Sequence, residues 1–181
     1  FSGNFFKNQY QNKFRIFSTP GLPIAFYDNT PNARISGFET KASLFLFRKK
    51  VTADLGLSKY SISEKAAFPF KADFKATFNL LFDHAGYSFQ LHLFKEGEQA
   101  GWVRFSETSN DSTGLAFCQY AEVRLPSFSN LDLHFSKSFS LGKFKFLANA
   151  SGRNLLNAQE VVLQGLALRD RRYYLTFGAQ Y

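Results

Sequence analysis

The sequence predicts an all-β fold, an antiparallel transmembrane β-barrel section of about eight strands, on three observations. Apolar and polar residues alternate with period two through eight separate segments, the signature of strands whose two faces meet unlike surroundings. Phe is abundant (24 of 181 residues, with 8 Tyr), yet mean hydropathy is slightly polar at −0.22, which alternation reconciles. Short and long connections also alternate along the chain, as in membrane barrels with tight turns on one side and large loops on the other.

Taken in order, the first segment, about 4–17, alternates least cleanly and is followed by a long connection over about 18–32. Phe38, Ala42, Leu44 and Leu46 then alternate with Glu39, Lys41 and Ser43, and Arg48-Lys49-Lys50 makes a tight turn. Val51, Ala53, Leu55 and Leu57 alternate with Thr52, Asp54, Gly56 and Ser58 before a connection over about 62–69. Phe70, Ala72, Phe74, Ala76, Phe78, Leu80 and Phe82 alternate with Lys71, Asp73, Lys75, Thr77 and Asn79. Asp83-His84-Ala85-Gly86 supplies the next tight turn, in residues that turns favour. Tyr87, Phe89, Leu91 and Leu93 alternate with Ser88, Gln90 and His92. The excursion 95–128 contains two extended stretches, 101–107 and 115–123. They stand either as strand extensions or a hairpin above the membrane, or as two further strands, which would make about ten. Leu131, Leu133, Phe135 and Phe139 alternate with Asp132, His134, Ser136 and Ser138, and Ser140-Leu141-Gly142 turns the chain. Phe144, Phe146, Ala148 and Ala150 alternate with Lys143, Lys145, Asn149 and Ser151, before a long connection over 154–171. The last segment is the clearest: Tyr173, Leu175, Phe177, Ala179 and Tyr181 alternate with Arg172, Tyr174, Thr176, Gly178 and Gln180.

Alternation alone fits a soluble barrel with its apolar face inward as well as a membrane barrel with that face outward. The membrane reading rests on polar faces that carry Asp, Lys, Asn, Ser and Thr in nearly every strand, and on apolar faces that mix Phe and Leu with Ala. Tyr and Phe also recur at strand ends, where aromatic girdles sit. No apolar run approaches the ~18–20 residues of a membrane-spanning helix, so any crossing is made by strands. The formal charge of +8 is spread among Asp and Glu rather than gathered, which argues against nucleic-acid binding. It suits a basic lumen or contact with anionic headgroups. The single Cys118 excludes an internal disulfide framework and a cysteine-based zinc site. His84, His92 and His134 lack metal-site spacing, so no metal or cofactor is expected. Neither a Gly-x-Ser-x-Gly element nor a phosphate-binding glycine loop is present. A Ser/His pair through His92 or His134 is the enzymatic alternative; the chain reads as a non-enzyme. The sequence holds no Met and opens without a charged leader and apolar core, so a removed start and an upstream targeting signal are expected.

Several stretches carry a family resemblance. Asn29-Thr30-Pro31-Asn32-Ala33-Arg34-Ile35-Ser36-Gly37-Phe38-Glu39 resembles an Asn-containing loop leading into a Gly-apolar-Glu strand. Ala67-Phe68-Pro69-Phe70-Lys71 resembles a Pro-containing entry to the next strand, although the usual form is Pro followed by a basic residue. Leu131-Asp132-Leu133 resembles an apolar-Asp-apolar strand, and Asn154-Leu155-Leu156-Asn157 an Asn-Leu-Phe-Asn element with Leu156 in place of Phe. The ending from Arg171 to Tyr181 resembles a final strand that begins near Arg and closes on an aromatic. In this order and spacing the motifs resemble the C-terminal part of the TonB-dependent outer-membrane receptors, whose barrels have about 22 strands around a plugged lumen. Residues 1–181 then correspond to the C-terminal barrel section of a larger barrel, with no stretch resembling the plug domain.

The resemblance implies a bacterial outer-membrane location and uptake of a scarce solute such as an iron chelate, a cobalamin or an oligosaccharide. Its implied partners are outer-membrane lipid, the barrel-insertion machinery, the captured ligand, and TonB acting through an upstream plug. Tyr173, Leu175, Phe177 and Tyr181 would form the strand read during assembly. Trp102, Arg104, Tyr120, Arg124 and Arg169 are the candidate ligand-recognition residues, because long loops on a rigid scaffold carry function and they join an aromatic pair to charge. Glu39, Lys41, Asp54, Lys71, Asp73, Lys75, Asp132, Lys143, Lys145 and Arg172 fall on polar faces, where ion pairing within the wall is the simpler role. The alternative is a stand-alone barrel of eight strands with a structural or adhesive role; its first and last strands would pair.

Overall fold

The computed structural model describes residues 1–18, 25–108, 116–158, 161–163, 166–167 and 170–181. Eight strands form one antiparallel sheet: β1 (Ser2–Ser18), β2 (Ala25–Leu46), β3 (Val51–Ile62), β4 (Phe74–His84), β5 (Tyr87–Glu96), β8 (Phe128–Leu141), β9 (Phe144–Arg153) and β12 (Arg172–Gln180), in that order. Between β5 and β8 the chain makes a separate hairpin of β6 (Gln99–Thr108) and β7 (Ala116–Leu125). A smaller hairpin of β10 (Val161–Leu163) and β11 (Leu166–Ala167) precedes β12. The hairpin reading of the 95–128 excursion therefore holds, because β5 pairs directly with β8 and leaves no place between them. Among the described residues the only helical turn is Lys65–Ala67, and β1 and β12 each have a single strand neighbour, so the sheet is open.

Three tight turns join the hairpins at one end. Ala85 and Gly86 both adopt left-handed φ (52° and 76°), the mirror-image turn whose twist matches that of paired strands. At the β8–β9 turn Gly142 supplies a φ of 62°. Phe47, Arg48 and Lys49 are all left-handed (49°, 57° and 67°), and the Lys50 N–H closes the turn on the Phe47 carbonyl at 3.3 Å. Each non-glycine residue held that way costs about 1–2 kcal/mol.

The register sorts side chains into continuous rows. Leu44, Ala53, Leu80, Leu91 and Leu133 face one way across five strands, and so do Leu46, Val51, Phe82, Phe89, Phe135, Ala150 and Leu175. On the other face Ser43, Asp54, Asn79, His92 and Asp132 make a polar row. The apolar face is uncovered: Leu44 and Leu55 are 55% and 42% exposed, and Phe177 is 74% exposed. No large side chain is fully buried among the described residues. A contiguous apolar surface of this extent is matched to a nonaqueous neighbour rather than to water.

The tight turns also step down the sheet. From the row of Leu46 and Val51, the last pair of the next hairpin (His84 and Tyr87) lies two residues further on, and that of β8–β9 (Leu141 and Phe144) six. Six residues is roughly 20 Å along a strand, and the four interstrand spacings crossed amount to roughly 19 Å. The turns are level with one another only if the strands tilt about 45°, close to the tilt of membrane barrel strands.

Two connections differ from the sequence reading. Residues 25–32, read as part of a loop, are strand, because β1 and β2 stay paired from Ser2 and Lys41 out to Ser18 and Ala25 and form a long ribbon. β4 begins at Phe74, not at Phe70. Residues 70–73 alternate like a strand, but Phe70 takes a φ of 55° and its N–H bonds the Ala100 carbonyl of β6 at 2.8 Å. Lys71 and Asp73 therefore belong to a loop. Its Ala67 and Ala72 are buried, as are Ala33, Ile35 and Tyr60, all on the polar side of β2 and β3. A local core thus lies where this loop folds back over the polar face.

Candidate functional site

The end of the sheet opposite the tight turns is built from the β1–β2 ribbon, the 63–73 loop and the β6–β7 hairpin. The Phe70 ring packs closely against Gly101, where an added methyl would sit 2.5 Å from it. That contact seats β6 beside the ribbon and leaves a cavity of about 310 Å³ lined by Phe14, Arg15, Ile16, Tyr27, Ala66, Pro69, Phe70 and Trp102. Phe14 and Tyr27 are each 73% exposed at its edge. Arg15 donates from Nη2 to Asp28 Oδ2 at 3.0 Å and lies 3.8 Å from Glu64, while its Nε is buried without a hydrogen-bond partner. The Arg15 hydrogen bond, with a second from the Asn29 N–H at 2.7 Å, holds the Asp28 carboxyl below the usual aspartate range. An aromatic-lined cavity with a guanidinium at its wall suits an aromatic or amphipathic solute carrying an acceptor oxygen.

Of the recognition residues read from the sequence, Trp102 enters this cavity. Arg104 and Tyr120 are directly paired across the β6–β7 hairpin, two residues beyond the Trp102–Glu122 pair. Arg124 stands opposite Ala100 and is 3.9 Å from Glu122, so it is spent on a neighbour. Arg169 lies outside the described residues. Phe14, Arg15, Tyr27 and Phe70 were not legible as a site, because they come from segments read as a noisy strand, a loop and a strand start.

A second concavity, about 320 Å³, lies on the polar face among Gln90, His92, Asp132, Leu133, His134, Ser151 and Arg153. His92 Nδ1 sits 2.5 Å from Asn79 Oδ1, and His134 Nδ1 sits 2.6 Å from Ser151 Oγ. Asp132 is directed elsewhere: its Oδ1 accepts the Asn154 N–H at 2.8 Å and the Asn130 amide at 3.2 Å. The Leu131-Asp132-Leu133 and Asn154-Leu155-Leu156-Asn157 motifs are thereby one structural lock. The Leu155 N–H also bonds the Leu131 carbonyl at 2.8 Å, and the Asn154 side chain brackets Ala158 through both its oxygen and its nitrogen at 2.9 Å.

The Gly37-Phe38-Glu39 motif has a similar explanation. Tyr60 stands opposite Gly37, where an added methyl would meet the Lys59 carbonyl and the Tyr60 ring. The Tyr60 hydroxyl donates to Glu39 at 2.6 Å, its ring packs on Phe6 at 5.8 Å between centroids, and Lys71 lies 4.2 Å above it. Lys59–Asp73 at 2.6 Å and Lys75–Glu96 at 2.5 Å complete the pairing near this end. Of the charges read from the sequence as candidate solute contacts, Asp73 and Lys75 are thus held in ion pairs with Lys59 and Glu96, Glu39 by the Tyr60 hydroxyl, and Asp132 by the Asn154 N–H.

On β12, Tyr173, Leu175 and Phe177 stand opposite Gly152, Ala150 and Ala148, and are 71%, 69% and 74% exposed. Tyr181 packs on Phe144 at 5.2 Å between centroids. Large residues across from small ones, on the last strand at an open edge, give one continuous apolar strip.

Set against solved structures, the chain is similar to the outer membrane transporter YddB from Escherichia coli, with a TM-score of 0.51 over 98% of this chain. The fold is that of an outer-membrane barrel wall. Sequence identity is 13%, and the chain spans 29% of the transporter's length, so the likeness concerns architecture. No family model matches the sequence, and no curated protein matches it in sequence.

Proposed function

We propose that the chain forms part of the wall and outer mouth of an outer-membrane transport barrel that takes up a scarce solute in a TonB-dependent manner. The observation that carries the reading is a two-faced sheet with both edges open: an apolar face outward, a polar face inward, level turns at one end and built loops at the other. In this reading further strands complete the lumen, and a plug elsewhere in the protein transmits the pull of TonB. The cavity at Trp102 and Arg15 captures the solute, an iron chelate, a cobalamin or an oligosaccharide, and no bond in it is broken. β12 presents Tyr173, Leu175, Phe177 and Tyr181 to the insertion machinery.

The intact mass of the polypeptide extracted by detergent from outer membranes tests the larger barrel. A mass several times 20.6 kDa is expected. A mass near that value would replace the reading with the stand-alone barrel of eight strands, in which β1 and β12 must pair. Energised uptake is tested with a labelled ferric chelate, cyanocobalamin and a maltodextrin in turn. One of them is expected to accumulate, and to stop accumulating when TonB is deleted; uptake unaffected by the deletion would overturn energy coupling.

A further inference from the structure

We infer that the rim at the tight-turn end is a binding surface for anionic phospholipid headgroups in the leaflet on that side; this rests on the barrel reading. The two ends of the sheet treat charge differently. Every ion pair among the described residues lies towards the loop end: Arg15 with Asp28 and Glu64, Lys59 with Asp73, Lys75 with Glu96, and Arg124 with Glu122. At the tight-turn end Arg48, Lys49, Lys50, Lys137 and Lys143 meet no carboxylate within ion-pair distance among the described residues, although the Asp83 backbone lies beside Lys50, its N–H bonded to the Lys50 carbonyl at 2.8 Å.

Lys137 is the centre of the surface. It lies on the apolar face, opposite Tyr87 and Ala148 and between Phe135 and Phe139 along β8. Its Nζ sits 3.3 Å above the Tyr87 ring centroid and donates to the Ala85 carbonyl at 3.0 Å. The ammonium is thereby held at the turn, at the level where an acyl-chain wall gives way to headgroups. It has three protons, and a phosphodiester oxygen is a suitable acceptor for one not directed to Ala85. The neighbouring turn adds three more cations, with Lys49 5.8 Å above Phe45 and Lys50 Nζ 3.5 Å from His84 Nε2. Cations above aromatic rings, with no carboxylate in ion-pair contact, complement a layer of negative phosphates and do not complement a zwitterionic one to the same degree.

The test uses the full-length protein in mild detergent, titrated with dioleoyl phosphatidylglycerol or dioleoyl phosphatidylcholine and read by native mass spectrometry. The anionic phosphatidylglycerol is expected to be retained preferentially. Each near-surface cation changes anionic-lipid binding about fivefold, so K137Q should lower the preference about fivefold and the R48Q/K49Q/K50Q variant by about two orders of magnitude. K137R keeps it. K95Q, on the apolar face near the other end, leaves it unchanged. Equal retention of the two lipids overturns the inference and leaves the barrel reading standing. Loss of the preference in K95Q, with K137Q unaffected, also overturns it by placing the headgroup in the opposite leaflet. A protein that remains monodisperse without detergent and retains neither lipid overturns the barrel reading itself. Heat-modifiable migration of each variant establishes that it is folded.

Discussion

Replacing Asp132 with Ala should loosen the wall at the β8–β9 junction. Asp132 Oδ1 accepts the Asn154 N–H at 2.8 Å, and Asn154 is only 4% exposed, so D132A removes a charged acceptor from a buried donor. An unsatisfied buried donor costs about 1–3 kcal/mol, and a hydrogen bond to a charged acceptor contributes about 1.5–3 kcal/mol. These overlap, since both describe the same contact, and the Asn130 bond at 3.2 Å adds less. A loss of about 2–3 kcal/mol is expected. D132N keeps an acceptor oxygen without the charge and should lose about 1 kcal/mol. Urea unfolding of the protein in lipid vesicles, followed by the heat-modifiable band, measures both. If D132A unfolds within about 0.5 kcal/mol of the parent, the ordinary surface range, the lock is not a structural one.

Other outcomes follow from the same contacts. Gly37→Val should prevent close pairing with Lys59 and displace Tyr60, costing about 2–4 kcal/mol by the same unfolding assay, whereas Ser36→Val beside it should be near neutral. The Asp28 carboxyl is held below its unfolded value of about 3.9, so its pair with Arg15 stabilises the ribbon fully above that value. The contribution is lost as pH falls from about 4 through the depressed folded value, and hydrogen exchange of the 13–17 and 26–30 amides should quicken there. Unchanged exchange in D28N at pH 7 would remove the pair's structural role. Deleting Tyr181 should lower the assembled yield in membranes severalfold while leaving synthesis unchanged; equal yield would detach the last aromatic from assembly. If the cavity captures the solute as proposed, Trp102→Ala should weaken binding of whichever labelled solute accumulates at least tenfold, as loss of an aromatic anchor does.

Much of the fold was legible because a strand's side chains alternate by local geometry. Every second residue of 131–139 and of 172–181 had to face the same surroundings, and the strands lie there. The tight turns were legible too, since Gly86 and Gly142 mark backbone positions that favour left-handed φ. Legibility failed where tertiary contacts chose among local options. Residues 70–73 alternate like a strand, but the bond from the Phe70 N–H to Ala100 and the packing of its ring on Gly101 took them into a loop. The 18–32 stretch is rich in Pro, Gly and Asn, yet pairing with β1 extends β2 back to Ala25.

The candidate site was half visible. Trp102 stood out as the single Trp, and its excursion as the longest, but its partners Phe14, Arg15, Tyr27 and Phe70 are distant in sequence and individually ordinary. Period and turn chemistry by themselves determined an all-β chain with two unlike faces, because each depends on a few adjacent residues. Which strands neighbour one another, that β6–β7 stands outside the sheet, that its edges stay open, and that Asp132 locks Asn154 while Lys137 meets no carboxylate were decided only by the tertiary structure. Those facts depend on pairing between residues tens of positions apart, and a one-residue slip would turn every side chain of the slipped strand to the other face.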